Sequence, residues 1–106
     1  MPDGVIPLGL VIVLALCAGA VRAEVASARA AELEHMVIQD CGSCHGLTLK
    51  GGLGAPLTRE ALDGADPETL QAIILDGVPG TAMPPWRPLL SEPEARWIAD
   101  YLLEVK

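Results

Sequence analysis

The sequence predicts an all-α domain of three to four short helices. Three stretches carry apolar residues at helical spacing, and they are bounded by recognisable start and stop residues. No segment alternates apolar and polar residues as a half-buried strand does, and no repeat or second domain is visible.

Residues 1–23 are set apart from this domain. Val5 to Val21 is an apolar run that ends in small residues, and both Ala18-Gly19-Ala20 and Val21-Arg22-Ala23 resemble signal-peptidase sites. Cleavage after Ala23 is expected, leaving 24–106 as the folded domain. Met1-Pro2-Asp3-Gly4 departs from the usual pattern, because it has no Lys or Arg and Asp3 is acidic. A retained membrane anchor is the alternative. A span needs about 20 apolar residues, however, and this run is broken by Pro7 and Gly9. Cys17 follows the large Leu16, which disfavours lipid attachment, so it is assigned to the discarded signal.

The first helix is expected over Ser27 to Asp40, which lacks Gly and Pro and is rich in Ala and Glu. Leu33, Val37 and Cys41 fall at i, i+4 and i+8, so its inner face leads into Cys41-Gly42-Ser43-Cys44-His45. An irregular Gly-rich stretch follows from Gly46 to Leu57, where backbone can approach another group closely. Thr58 caps a short turn through Leu62. Asp66-Pro67 then opens a helix that Gly77 stops, with Leu70, Ile73 and Ile74 inward. Gly77 to Leu90 holds four prolines and no helical period. Ser91 and Glu94 form a capping box for the last helix. That helix turns Ala95, Ile98, Ala99 and Leu102 inward and stacks Trp97 on Tyr101.

Cys41-Gly42-Ser43-Cys44-His45 is the run that carries chemistry. Two thiols separated by two residues can each add to a vinyl group of one porphyrin, and the adjacent histidine then falls over the iron. On a helix the three side chains at i, i+3 and i+4 share a face. A zinc site needs about four ligands, and only Cys17 and His35 remain to supply them. A thioredoxin-like redox pair lacks its βαβ context, and a plain disulfide is the remaining alternative. Bacterial c-type haem is attached outside the cytoplasm, so the export signal and the motif support each other and place the protein in the periplasm.

An iron held by His45 needs a ligand opposite, and Met83 in the proline-stiffened Pro79–Trp86 loop is the candidate. Plain core packing is the commoner role for a methionine. Met36 lies on the motif's own helix and Met1 leaves with the signal. His35, ten residues before His45, would have to unwind its helix to cross the haem plane and is read as a surface residue. A filled sixth position favours electron transfer over catalysis at iron.

Composition limits the partners. The net charge of −7 survives removal of residues 1–23, which takes away one acid and one base. Nucleic-acid binding is excluded on that ground, and a partner with a positive patch is favoured. With no Phe, one Tyr and two Trp, the small core needs a large apolar body from elsewhere, so the haem-free chain is expected to fold poorly.

The whole expected domain resembles the small class I c-type cytochromes. The resemblance rests on the helix, the Cys-x-x-Cys-His motif, the Gly-rich loop with a proline, the next helix, Met83-Pro84 and the terminal helix. It implies three to four helices around one covalently bound haem, with Cys41 and Cys44 in thioether bonds and His45 and Met83 on iron. It further implies that the Pro56 carbonyl orients His45, and that Trp86 contacts a haem propionate, with Arg87 a weaker candidate. Asp40–Gly54 and Gly80–Trp86 are similar to the NirC, or cytochrome c55X, group encoded beside the cytochrome cd1 nitrite reductase of denitrifying bacteria. The implied role is a monomeric electron shuttle, not an enzyme, that delivers electrons to that reductase. The alternative is service in maturation of its haem d1. A haem protein whose methionine detaches to admit nitric oxide, nitrite or peroxide is the competing enzyme class.

Overall fold

The computed structural model describes residues 25–104, together with Gly4. The expected signal over residues 1–23, Cys17 included, otherwise lies outside the described residues. Helix α1 spans Ser27–Met36, a π-helical turn spans Val37–Cys41, and α2 spans Gly42–His45. Helix α3 spans Pro67–Asp76 and α4 spans Glu92–Glu104, with no strand among the described residues. None of these helices is long and apolar enough to cross a membrane.

The core lies where α3 and α1 meet α4. Leu33 and Val37 from the first arm, Ile74 and Leu75 from α3, Leu90, and Ala95, Ile98, Ala99 and Leu102 from α4 are buried together. The inward face expected for α4 is the one observed. On α3 the face is rotated from the expected one: Leu75 is buried and Ile73 remains 37% exposed. The turn that follows explains the rotation, because the Arg87 and Trp86 amides donate to the Leu75 and Ile74 carbonyls. These bonds draw that edge of α3 under the loop and satisfy two of the carbonyls that a helix end leaves open.

The start signals act as read. The Asp66 carboxylate accepts from the Thr69 amide at 3.1 Å, with Pro67 in the first helical position. Glu94 accepts from the Ser91 amide at 2.9 Å, while Ser91 Oγ accepts from the Glu94 amide at 3.3 Å. Trp97 and Tyr101 stack with ring centroids 5.2 Å apart. The Arg29 guanidinium of α1 meets Glu32 on its own helix and Glu94 on α4, and Tyr101 donates to Glu34. Polar contacts therefore tie both faces of the α1–α4 contact.

The first helix differs from the uniform one expected. At Val37–Cys41 it widens to a π turn, closed by the Gly42 amide donating to the Val37 carbonyl. A step of five residues replaces a step of four, so the position stacked beneath Val37 is Gly42 rather than Cys41. Gly42 is accordingly buried and Cys41 only partly so. Single π turns of this kind often mark functional sites.

Candidate functional site

The π turn delivers the motif. Cys41 and Gly42 both have right-handed helical backbone (φ −63°, ψ −41° and φ −62°, ψ −26°), and α2 continues this to His45. Cys41, Cys44 and His45 therefore share one helical face at i, i+3 and i+4, while Gly42 faces the core. Both thiols are unpaired, Cys44 exposed and Cys41 half-buried. Burial pushes the Cys41 thiol up to about 11, helped by the adjacent Asp40 carboxylate. Among the described residues no three His, Cys, Asp or Glu side chains converge, so the thiols lack the company that a zinc site needs.

Helix α2 ends at Gly46, whose φ of 91° turns the chain back. The Gly-rich loop is then bonded onto the helix end: the Gly51 amide donates to the His45 carbonyl at 2.8 Å and the Gly54 amide to the Cys44 carbonyl at 2.7 Å. Leu49 takes a left-handed φ of 58°, held by its own amide bonding to Gly46 and by Leu57 bonding to its carbonyl, and its side chain packs on the core.

This folding back fixes the imidazole. His45 Nδ1 lies 2.7 Å from the Ala55 carbonyl oxygen. A carbonyl only accepts, so Nδ1 carries the proton and Nε2 keeps the lone pair that a metal takes. The orienting carbonyl expected at Pro56 thus belongs to Ala55. Pro56 acts one step removed, since a residue before proline is confined to extended backbone, and this presents the Ala55 carbonyl to the ring. Gly54 sets the approach on the other side: a Cβ there would lie 2.6 Å from Nδ1.

Met83 and Trp86 sit half-buried in the loop between α3 and α4. The Met83 carbonyl accepts from the Val78 amide and its own amide donates to Thr81 Oγ1, both at 3.2 Å. Trp86 packs against the core. The Arg87 guanidinium is turned to Asp76 at 2.8 Å and to Glu92. His35 is exposed, as expected.

The donor set fits a haem group. Two thiols stand in the attachment spacing beside an imidazole of defined tautomer, and a soft thioether lies in a second loop. Leu49, Leu57, Leu62, Leu70 and Trp86 are partly buried against the core, and the buried core holds no polar side chain among the described residues. Sequence reasoning singled out the two cysteines, His45 and Met83 as candidates. It missed Ala55, whose carbonyl role leaves no mark on residue type, and it saw in Gly77 only a helix stop.

Comparison with known proteins is consistent with this geometry. Residues 28–102 match the family model described as "Cytochrome C oxidase, cbb3-type, subunit III". The chain is 60% identical to cytochrome c55X of Paracoccus denitrificans (strain Pd 1222), over 92% of this chain and 95% of that one. A solved structure of the c-type cytochrome NirC is similar at 54% identity and a TM-score of 0.73, covering 74% of this chain and 93% of that one. The dihydro-heme d1 dehydrogenase NirN, solved in complex with DHE, is similar at 32% identity and a TM-score of 0.64. That match covers 69% of this chain and only 16% of NirN. Fold and motif together define a class I c-type cytochrome, a carrier in electron transfer with covalently bound haem c. Within that class the chain belongs to the cytochrome c55X family.

Proposed function

We propose that this protein is a monomeric periplasmic cytochrome with a single haem, passing one electron at a time to cytochrome cd1 nitrite reductase in denitrification. It is exported by residues 1–23 and carries its redox domain in 24–106. Cys41 and Cys44 would hold the haem through thioethers, with His45 Nε2 and Met83 Sδ as the axial ligands and Trp86 at a propionate. The bound haem supplies a centre that changes oxidation state by one electron. His45 is the observation that carries the reading: its Nδ1–H is committed to Ala55 at 2.7 Å, one residue after a free Cys44 thiol. A hydrogen bond at Nδ1 fixes the ring and raises the basicity of the nitrogen that meets the metal. A thioether opposite favours ferrous iron, which suits a carrier of high potential. With His45 and Met83 both holding the iron, no position would be left for a substrate, which suits electron transfer.

The test is reductase turnover with the pure, reduced cytochrome as sole electron donor. Turnover well above that given by an unrelated acidic cytochrome is expected; equal rates would remove the specific partner. A second reading, electron supply to haem d1 maturation, is favoured by the likeness to a domain of NirN. Deleting the gene separates the two. A reductase that is fully loaded with haem d1 but starved of electrons supports delivery, and one lacking haem d1 supports maturation.

A further inference from the structure

We infer that Gly77, with Val78 and Thr81, forms a latch that positions Met83; the inference rests on Met83 being an axial ligand. Gly77 has φ 65° and ψ −169°, a region essentially closed to residues with a Cβ. The reason for the glycine is also steric. A Cβ there would lie 2.6 Å from the Met83 carbonyl oxygen, 2.7 Å from the Pro84 carbonyl carbon and 2.8 Å from the Pro85 nitrogen. All three are backbone atoms, so no side-chain rotation relieves the contact. The Met83-Pro84-Pro85 backbone is pressed directly onto the Gly77 Cα.

Hydrogen bonds hold it there. The Val78 amide donates to the Met83 carbonyl, and the Met83 amide donates to Thr81 Oγ1, whose hydroxyl donates in turn to the Val78 carbonyl at 2.7 Å. Both backbone polar groups of Met83 are therefore engaged. The two prolines that follow have fixed φ and no amide hydrogen to compete. At its other end the latch is bonded to α3, since the Gly77 amide donates to the Ile73 carbonyl at 2.8 Å. Helix α3 is itself fixed in the core through Ile74 and Leu75. A continuous stiff path thus runs from the core to the Met83 Cα. A neutral thioether holds iron weakly, so the fraction of molecules with that position open depends on how well the loop is held.

Gly80 supplies the control. Its φ of 78° is also left-handed, yet a Cβ there meets nothing within 4 Å. The experiment uses the exported, haem-loaded protein and the variants Gly77→Ala, Gly80→Ala and Thr81→Ala. Three quantities are read: the long-wavelength sulfur-to-ferric-iron absorption band, the reduction potential, and the apparent affinity for imidazole. Gly80→Ala carries the left-handed strain without the backbone overlap, so it is expected to move all three readouts much less than Gly77→Ala. Gly77→Ala is expected to lose the band, lower the potential and bind imidazole at least about tenfold more tightly, because the ligand-competent open form is more populated. A residue that merely supports the fold would lower the melting temperature without moving the imidazole affinity. Gly77→Ala equal to Gly80→Ala on all three readouts overturns the latch and leaves Met83 as ligand. An unaltered protein without the band removes Met83, and the latch with it. Should Gly77→Ala not fold, Thr81→Ala decides: several-fold tighter imidazole binding supports the latch, and a change within about twofold overturns it.

Discussion

Cys41 and Cys44 have the same chemistry and different surroundings, and the difference is measurable in the protein before haem attachment. Cys44 is exposed, whereas Cys41 is half-buried beside Asp40. A thiol raised from 9.0 to about 11 carries, at a given pH, about a hundredth of the thiolate of an ordinary one, and the thiolate is the nucleophile. Brief treatment of the haem-free protein with iodoacetamide at pH 8 should therefore label Cys44 first. Peptide mass spectrometry reads the ratio and circular dichroism the helix content under the same conditions; equal labelling of a helical chain would mean that the π turn does not hold Cys41 against the core. The same scale contains the His45 clamp, where Ala55 supplies the carbonyl and Gly54 leaves room for the ring.

Among the elements, the π turn and the capping box make separate demands. The π turn is the reason that Gly42, not Cys41, occupies the buried position beneath Val37. Deleting the exposed Gln39 makes Gly42 the fourth residue after Val37, so the segment should close as an ordinary α-helix with Gly42 still beneath Val37 and Cys41 still outside. Covalent haem, read by haem staining of a denaturing gel, should then stay near the usual yield; a large loss would show that the π turn does more than set the register of Cys41 and Gly42. The start of α4 is more conventional. Ser91→Ala removes the Oγ acceptor for the Glu94 amide and should cost about 1 kcal/mol in a urea titration. Glu94 also links stability to pH. The Ser91 amide, and then the Arg29 guanidinium, hold its carboxyl below its ordinary value of 4.5. A carboxyl depressed in the folded state contributes its full stabilisation above the unfolded value and loses it as pH falls through the folded one. Stability should thus decline below about pH 4.5, and Glu94→Gln should flatten that decline; an unchanged acid limb would place the titration elsewhere.

For the whole molecule, charge and size set the terms. Arg29, Arg87 and Arg96 are each engaged by carboxylates of the same chain, and the net charge of −7 already counts every cation. These pairs are partly or largely exposed, so solvent screens them and they add little stability, but they leave the outward field acidic. Association with a basic redox partner should slow as ionic strength rises, since the screening length falls to about 10 Å at 0.1 M salt. Stopped-flow rates across a salt series check this, and a salt-independent rate would point to an apolar docking face instead. The small core of Leu, Ile, Val and Ala side chains is consistent with a domain completed by its prosthetic group.

The sequence alone determined the helical class, the boundaries of α3, the start of α4, the caps of both, and the haem attachment spacing. These are local: Asp66-Pro67, Ser91 with Glu94, and Cys41, Cys44 and His45 act across three or four neighbouring residues, so pattern suffices. The inward face of α3 was legible only in part, because the pairing of Trp86 and Arg87 with its last carbonyls turned Leu75 under and left Ile73 out. Tertiary structure decided the π turn, the Ala55 carbonyl on His45 and the contact of Gly77 with the Met83 backbone. Each depends on backbone segments meeting across a loop, or on the packing demand of Val37 and Gly42. A backbone carbonyl is the same in every residue type, and a glycine's missing Cβ acquires meaning only when its neighbour in space is known.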